Sequence, residues 1–124
     1  MIAIQPQNGA LTTVGAGTLL AALLAGQFVT RSGPTGDFAD TFDTAANIAA
    51  GLNQSISGFG GAAWEVEYYN TTAHNATLTA PAGGNFTLNG QSAVIPATTV
   101  ATLIISVSAS GAVTVTVFNR ASAT

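Results

Sequence analysis

The spacing of apolar residues changes along this chain of 124 residues, and from Trp64 onward it follows a period of two. In residues 64–70, Trp64, Val66 and Tyr68 alternate with more polar positions. Such alternation is typical of a strand with one buried face. The same period predicts further short strands at 75–80, 85–90, 92–97, 99–109 and 112–119.

Turn residues separate these predicted strands at intervals of roughly 8–12 residues. Asn89-Gly90 is a strong hairpin signal, and glycines also occur in the segments 81–84 and 108–111. Consecutive short strands joined by tight turns favour antiparallel pairing. The expected fold is therefore mainly β, an antiparallel sandwich or barrel, jelly-roll-like, with one or two short helices and an extended N-terminal arm.

The clearest helical pattern covers residues 40–52. Phe42, Ala45, Ala49 and Leu52 recur with a period near 3.6 residues. Asp40 is the predicted N-cap and Asp43 the third helical residue, where a carboxylate can reach backbone N–H groups and complement the helix dipole. The small alanine side chains predict close packing of this helix against a sheet.

The segment before residue 34 lacks a sustained period. Residues 1–17 contain one proline and several glycines and suggest an extended arm. Residues 18–25 predict a short helix, and residues 27–31 a strand. We therefore expect an arm with a short apolar segment over 1–33, and a sandwich domain over 34–124 that includes the helix at 40–52.

Charged residues are scarce. They make up 6% of the chain, with two arginines, no lysine and a net charge of −3, against about 25% in ordinary soluble domains. Nucleic-acid binding needs clustered basic residues and is not expected. The longest apolar stretch, 19–29, is interrupted and falls short of the roughly 20 residues of a membrane span. A low-charge surface suits burial against other subunits.

The residues that most resemble a chemical site are Asp37, Asp40 and Asp43, spaced three apart. Their spacing does not match a calcium loop, which alternates ligands and ends in a glutamate. His74 has no second histidine, no cysteine and no nearby acid to form a metal site or an obvious triad. Helix capping is the favoured role for Asp40 and Asp43, and no catalytic residue, metal or cofactor is predicted.

Glu65 and Glu67 fall on the more polar face of a predicted strand. A solvated strand face is the simple interpretation. The alternative is an ion pair with Arg31 or Arg120, within the chain or across a subunit boundary.

The segment RSGPTGDFADTFDTAANI (31–48), inside the longer run 17–52, resembles a segment of small capsid-decoration (cement) proteins and related accessory proteins of tailed bacteriophages. Residues 68–107 also resemble these modules, with an Asn-Thr turn, a Thr/Leu strand, a Gly-rich turn and a Thr-rich hairpin. The resemblance implies a β-rich virion protein without catalytic residues. Such proteins sit on the capsid surface, often as trimers, and clamp neighbouring major capsid subunits.

The expected partners are thus the major capsid protein and further copies of this chain, a trimer being favoured. The expected contacts are apolar side chains near the N-terminus, which a small domain would leave uncovered: Ile2, Ile4, Leu11, Leu19, Leu20, Leu23, Leu24 and Phe28. An arm of this kind can add a strand to the sheet edge of a neighbour.

Two other functions stay open at this point. A receptor- or carbohydrate-binding module of a phage head or tail fibre would need exposed aromatic side chains, for which Tyr69, Phe59 and Phe118 are candidates. A small hydrolase is disfavoured, because the chain has one histidine and no nucleophile motif.

Overall fold

A computed structural model describes residues 8–24, 28–55, 62–90, 93–108 and 110–122. It contains two helices, α1 (Ala21–Leu24) and α2 (Ala45–Ser55). Its ten strands are β1 (Asn8–Leu11), β2 (Gly17–Leu19), β3 (Phe28–Arg31), β4 (Phe38–Phe42), β5 (Ala62–Asn70), β6 (Ala76–Thr79), β7 (Phe86–Gly90), β8 (Val94–Ile95), β9 (Thr99–Val107) and β10 (Val113–Ser122).

The strands form two sheets, and the chain alternates between them from β1 to β9. Sheet A has the order β1-β3-β5-β9-β10-β7, and sheet B has the order β2-β4-β6-β8. The first six strands therefore make three turns of a coil, each turn placing one strand in each sheet. Successive turns run in the same direction, so β1, β3 and β5 are parallel, as are β2, β4 and β6.

The last four strands add to this coil in mixed directions. β9 is antiparallel to β5, and β10 is antiparallel to β9. β8 is antiparallel to β6, whereas β7 is parallel to β10. The prediction of a mainly β fold with two short helices is confirmed, but antiparallel pairing is confirmed only in part. The sheets are mixed and do not close into a barrel.

The coil explains why the sequence predicts more antiparallel pairing than the structure contains. A strand followed by a tight hairpin must pair antiparallel with its successor. Here each early strand is followed by a strand of the other sheet, so the chain returns to the first sheet in its original direction. The pairing partners β3 and β5 are consequently offset by 39 residues, since Phe28 lies opposite Glu67.

The N-terminal region belongs to the same two sheets as the rest of the chain. β1 is the first strand of sheet A, and β2 is the first strand of sheet B. Strands on both sides of residue 33 therefore take part in both sheets. Leu19 and Leu24, predicted as contacts to other subunits, are 0% exposed and lie in the core of their own chain.

The hydrophobic core lies between the inner face of sheet A and a second layer formed by sheet B and the helices. Sheet A contributes a row of β-branched and leucine side chains, including Val66, Leu103 and Val115. Sheet B contributes Leu78, and α2 contributes Ile48. Full burial of such a side chain stabilises the fold by about 1.5–3 kcal/mol.

Helix α2 begins five residues later than predicted. Thr44 is its N-cap, since the Thr44 hydroxyl oxygen accepts the Asn47 N–H at 3.2 Å and the Thr44 carbonyl accepts the Ile48 N–H at 3.0 Å. Of the predicted stripe, Ala45 and Ala49 are buried on the helix, together with Ile48. Phe42 lies in β4, and the side chain of Leu52 is outside the described part of the structure. The small alanine side chains let the helix pack onto the core of its own chain.

Both predicted capping aspartates have other positions. Asp40 lies in the middle of β4, so it does not cap the helix. Asp43 precedes the cap and does not occupy the third helical position. Its carboxylate nevertheless accepts the Thr44 N–H and the Asn47 side-chain amide, each at 2.8 Å, and the Ala21 N–H at 3.0 Å. Asp43 thus joins the starts of α1 and α2.

Candidate functional site

The most strongly polar cluster in the structure is buried between the sheets and contains Arg31, Asp40 and Tyr68. Strands β3 and β5 of sheet A carry Arg31 and Tyr68, and β4 of sheet B carries Asp40. All three residues are 0% exposed. The Arg31 Nε–H donates to Asp40 Oδ2 at 2.8 Å, and the Tyr68 hydroxyl donates to the same oxygen at 2.6 Å.

The remaining N–H groups of Arg31 donate to backbone carbonyls at the end of β1, in the β1–β2 loop and just after β3. Nη1 donates to the carbonyl oxygens of Leu11 at 3.3 Å, Thr13 at 2.8 Å and Ser32 at 2.7 Å, and Nη2 donates to that of Gly15. The guanidinium also lies over the aromatic ring of Phe38 on β4, 4.6 Å from the ring centroid. One side chain therefore ties the first turn of the coil to both sheets.

Close packing around this cluster leaves room only for glycine at position 17. The Gly17 N–H donates to Asp40 Oδ1 at 3.1 Å. A Cβ atom placed there would lie 2.9 Å from a Leu11 methyl carbon and 3.2 Å from Arg31 Nη2. The carboxylate is thereby satisfied on both oxygens.

The electrostatics of the cluster indicate a structural role. Burial raises the pKa of the Tyr68 hydroxyl, and the adjacent Asp40 charge and hydrogen bond raise it further. Tyr68 thus stays protonated and acts as a hydrogen-bond donor. Because all three side chains are enclosed, they hold the two sheets together and do not meet a substrate.

The three aspartates that looked like one acidic site have three separate tasks. Asp37 accepts the Asn75 N–H at 2.9 Å and holds a turn. Asp40 pairs with Arg31, and Asp43 supports the helix starts. No group of three or more His, Cys, Asp or Glu side chains within the described ranges is arranged to hold a metal ion.

A buried aspartate in a strand was missed because its sequence neighbours suggest a helix. The signal that could have revealed it is the alternation of Phe38, Asp40 and Phe42, all three of which are buried. A charge at such a position requires an opposite charge in the same core. The chain has two arginines and no lysine, so few residues could supply the positive charge that pairs with Asp40.

The glutamates lie apart from this cluster, on the outer face of sheet A, the face turned away from sheet B. Arg31 points inward and pairs with Asp40, so the predicted pairing of Glu65 or Glu67 with Arg31 is wrong. Glu67 accepts the hydroxyl of Thr102 at 3.0 Å. The side chain of Arg120 is outside the described part of the structure.

The remaining predicted contact residues differ in exposure. Leu20 is 52% exposed, whereas Leu11 and Leu23 are partly buried against the core. Phe28 is half-buried on the outer face of sheet A. Ile2 and Ile4 lie outside the described residues. Val14, which the sequence patterns did not single out, is 67% exposed.

The first turn of the coil leaves two strand edges at one end of the molecule. Over the described residues, β1 pairs with β3 alone and β2 pairs with β4 alone. Val14 lies in the loop between β1 and β2, and Leu20 directly follows β2. We call this region, residues 8–20, the coil end.

A cleft of about 450 Å³ lies elsewhere, between the start of α2 and the turns at 82–85 and 110–111. Its lining is made of alanine, glycine, threonine, serine and asparagine residues, with no charged side chain among those the structure describes. Nothing in its chemistry selects a ligand.

Taken together, fold and site define a mainly β protein of two mixed sheets, whose buried ion pair holds the first turn of a strand coil. No protein-family model, no curated protein and no solved structure matches the chain. No helix in the described ranges is long and apolar enough to cross a membrane.

Proposed function

We propose that this chain is a structural virion protein, a capsid-decoration (cement) protein that binds the outside of a phage capsid and clamps neighbouring major capsid subunits. The proposal starts from the resemblance of residues 31–48 and 68–107 to such proteins. It assigns no catalytic residue and no cofactor. Its expected place is the capsid surface, as a homo-oligomer for which a trimer is favoured.

The observation that carries the proposal is the coil end. Two strand edges end there, and the exposed hydrophobic side chains Val14 and Leu20 lie beside them. Unpaired strand edges recruit strands from partner proteins, and exposed apolar side chains add burial on contact. A coat subunit that supplies a strand or an apolar groove would cover this region.

The hydrogen bonds of Arg31 within the chain are also consistent with a protein that clamps without changing shape. Arg31 fixes the carbonyl groups of the loop that carries Val14, so the coil end is held in shape before any partner binds. A preorganised surface loses less conformational entropy on binding. A protein that binds only the assembled shell then stabilises it by mass action.

Co-sedimentation with capsid shells lacking the protein tests this proposal. Wild-type protein should pellet with the shells, whereas Val14→Asp and Leu20→Asn should bind at least tenfold more weakly. Leu20 is suited to this test because its carbonyl starts α1, accepting the Leu24 N–H at 3.1 Å, and asparagine is favoured at such a position and adds no charge beside the Asp43 carboxylate.

Val94→Asp is the matched control. Val94 is also an exposed valine, 37% exposed, but β8 lies at the opposite margin of sheet B. This variant should pellet like wild type. Wild-type protein that stays in the supernatant at saturating shell concentration would refute the proposed function.

A second candidate is a receptor- or carbohydrate-binding module of a head or tail fibre. The observation in its favour is that Tyr69 and Phe118 lie on one sheet face together with Phe28. Phe59, the third aromatic candidate, is outside the described residues. Retention on insoluble polysaccharide by wild type, lost in Tyr69→Ala and Phe118→Ala, would favour this function over capsid binding.

A further inference from the structure

The outer face of sheet A is an extended surface that the core does not use. Trp64 donates from Nε1 to the Leu24 carbonyl at 2.8 Å on the inner face, and the buried side chains of α2 belong to the same core. The helices and sheet B therefore lie on the inner side. The outer side carries the apolar residues Phe28, Tyr69, Val100, Ile104 and Phe118.

The pairing registers bring these residues close together. Phe28 lies opposite Glu67, Glu67 opposite Thr102, and Thr102 opposite Phe118. This row crosses four strands, about 14 Å at the usual spacing of ~4.8 Å. Tyr69 and Val100 face each other in the neighbouring row, so aromatic and aliphatic side chains occupy one half of the face.

One polar pair within this half, Glu67 and Thr102, is hydrogen-bonded along the surface. Thr102 donates its hydroxyl to Glu67, and it is only 9% exposed although it points away from the core. Neighbouring side chains must therefore pack over it. Phe118, at the end of the same row, is 42% exposed. Glu65 lies opposite Ile104 on the same face and is exposed. This half of the face thus combines five apolar side chains with the hydrogen-bonded pair Glu67 and Thr102, and a glutamate lies at its border.

The area of the whole face lies near the lower end of the range for a protein partner. Six strands at ~4.8 Å spacing and central strands of nine or ten residues give a projected area on the order of 600 Å². A standard interface buries about 800 Å² per partner. Interface cores are also depleted of charge and enriched in aromatic residues.

We propose that the outer face of sheet A is covered by another copy of this chain. A second copy offers the same apolar half-face, and sheets pack face to face at about 10 Å separation. A polysaccharide fits less well, because Val100 and Ile104 on the central strand offer it no hydrogen bonds. Because both copies use the same face, this contact closes a dimer and departs from the trimer favoured in the proposed function. It can be tested without capsids, so its failure is distinguishable from a failure of shell binding.

Light scattering coupled to gel filtration tests the proposal on the full chain. The wild-type mass should be twice the 12.3 kDa of one chain, and Phe118→Asp should raise the dissociation constant of the dimer at least tenfold. Ile104→Asp should act in the same direction. Val14→Asp, at the coil end, should leave the mass unchanged and is the control.

Melting temperatures measured over a series of protein concentrations distinguish a variant that no longer associates from one that no longer folds. The melting temperature of wild-type protein should rise with protein concentration, because association stabilises the folded state, and that of Phe118→Asp should not. A monomeric wild type at the highest soluble concentration would overturn the proposal. So would an oligomer that Phe118→Asp and Ile104→Asp both leave intact, or a monomer that binds polysaccharide through Phe118.

Discussion

Removing the guanidinium of Arg31 should destabilise the fold more than any change at the surface. Arg31→Met keeps a long side chain but leaves Asp40 buried without its counter-ion. It also leaves carbonyl oxygens of the β1–β2 loop without their donor. Asp40→Asn is the reciprocal change, since it leaves the guanidinium without a negative partner inside the core.

The expected size of the loss follows from the burial of both side chains. Removing one member of a buried ion pair costs about 3–5 kcal/mol, and each unsatisfied buried acceptor adds about 1–3 kcal/mol. At roughly 2.1 cal/mol/K per residue, the unfolding entropy of 124 residues is ~0.26 kcal/mol/K. A loss of 4 kcal/mol thus lowers the melting temperature by about 15 °C.

Urea unfolding followed by fluorescence measures this loss directly. Trp64 is the one tryptophan of the chain and is partly buried, so its emission should shift to the red on unfolding. Thr30→Ala is the control, since Thr30 lies on the same strand but points to the outer face. It should change the unfolding free energy by less than about 1 kcal/mol.

The double variant Arg31→Met/Asp40→Asn separates the ion pair from general damage. With no charge left unpaired, it should lose less than the sum of the two single losses, by about 1–3 kcal/mol. Single variants that unfold at the wild-type urea concentration would refute the structural role of the pair. Strictly additive losses would refute the coupling of its members.

Three further outcomes are expected. The pKa of Tyr68 is raised, so Tyr68 should not ionise in the folded protein, and in Tyr69→Phe the phenolate absorbance should appear only together with loss of circular dichroism. The contribution of Tyr68 to stability is full below about pH 10 and is lost above it. Burial alone would raise the pKa of Asp43, but the hydrogen bonds to its carboxylate outweigh burial and lower the pKa. The difference in unfolding free energy between wild type and Asp43→Asn, measured in urea, should be full above pH 3.8 and should shrink as the pH falls through the lowered pKa of Asp43. Gly90→Ala should lower the melting temperature, because Gly90 has φ of +123° and an added Cβ would clash with a backbone oxygen of β10. Gly36→Ala is the control and should leave the melting temperature unchanged, because a Cβ at position 36 meets open space.

The sequence predicted the strands of the second half well, because each has a clear period of two and a turn at its end. The predicted strand at 99–109 corresponds to β9 (Thr99–Val107), and that at 112–119 corresponds to most of β10 (Val113–Ser122). In these strands one face is buried and the other is not, so hydrophobic alternation carries the information. These segments can therefore be predicted as strands without knowing which other strands they pair with.

The first half was harder to predict because its strands are short and their partners distant. β2 has three residues and β4 contains a buried charge, so neither shows a clean apolar alternation. Parallel pairing across 20 to 39 residues leaves no local trace, unlike a hairpin turn. The sequence suggests a helix cap at Asp40 because the side chains that bond to its carboxylate, Arg31 and Tyr68, lie in other strands, on the other sheet.

The two proposed surfaces face in different directions, and this decides how they combine. The coil end is the margin of both sheets, whereas the outer face of sheet A is perpendicular to that margin. Copies joined through the outer face would leave every coil end uncovered. Several coil ends could then engage neighbouring capsid subunits at once, and linked sites of this kind raise apparent affinity by about 10²–10⁴ without a new contact. Such multivalency would tighten the clamp, because each coil end contacts its own place on the shell. Phe118→Asp should therefore weaken shell binding although Phe118 is far from the coil end in strand order, and Val14→Asp should weaken it without changing the oligomer.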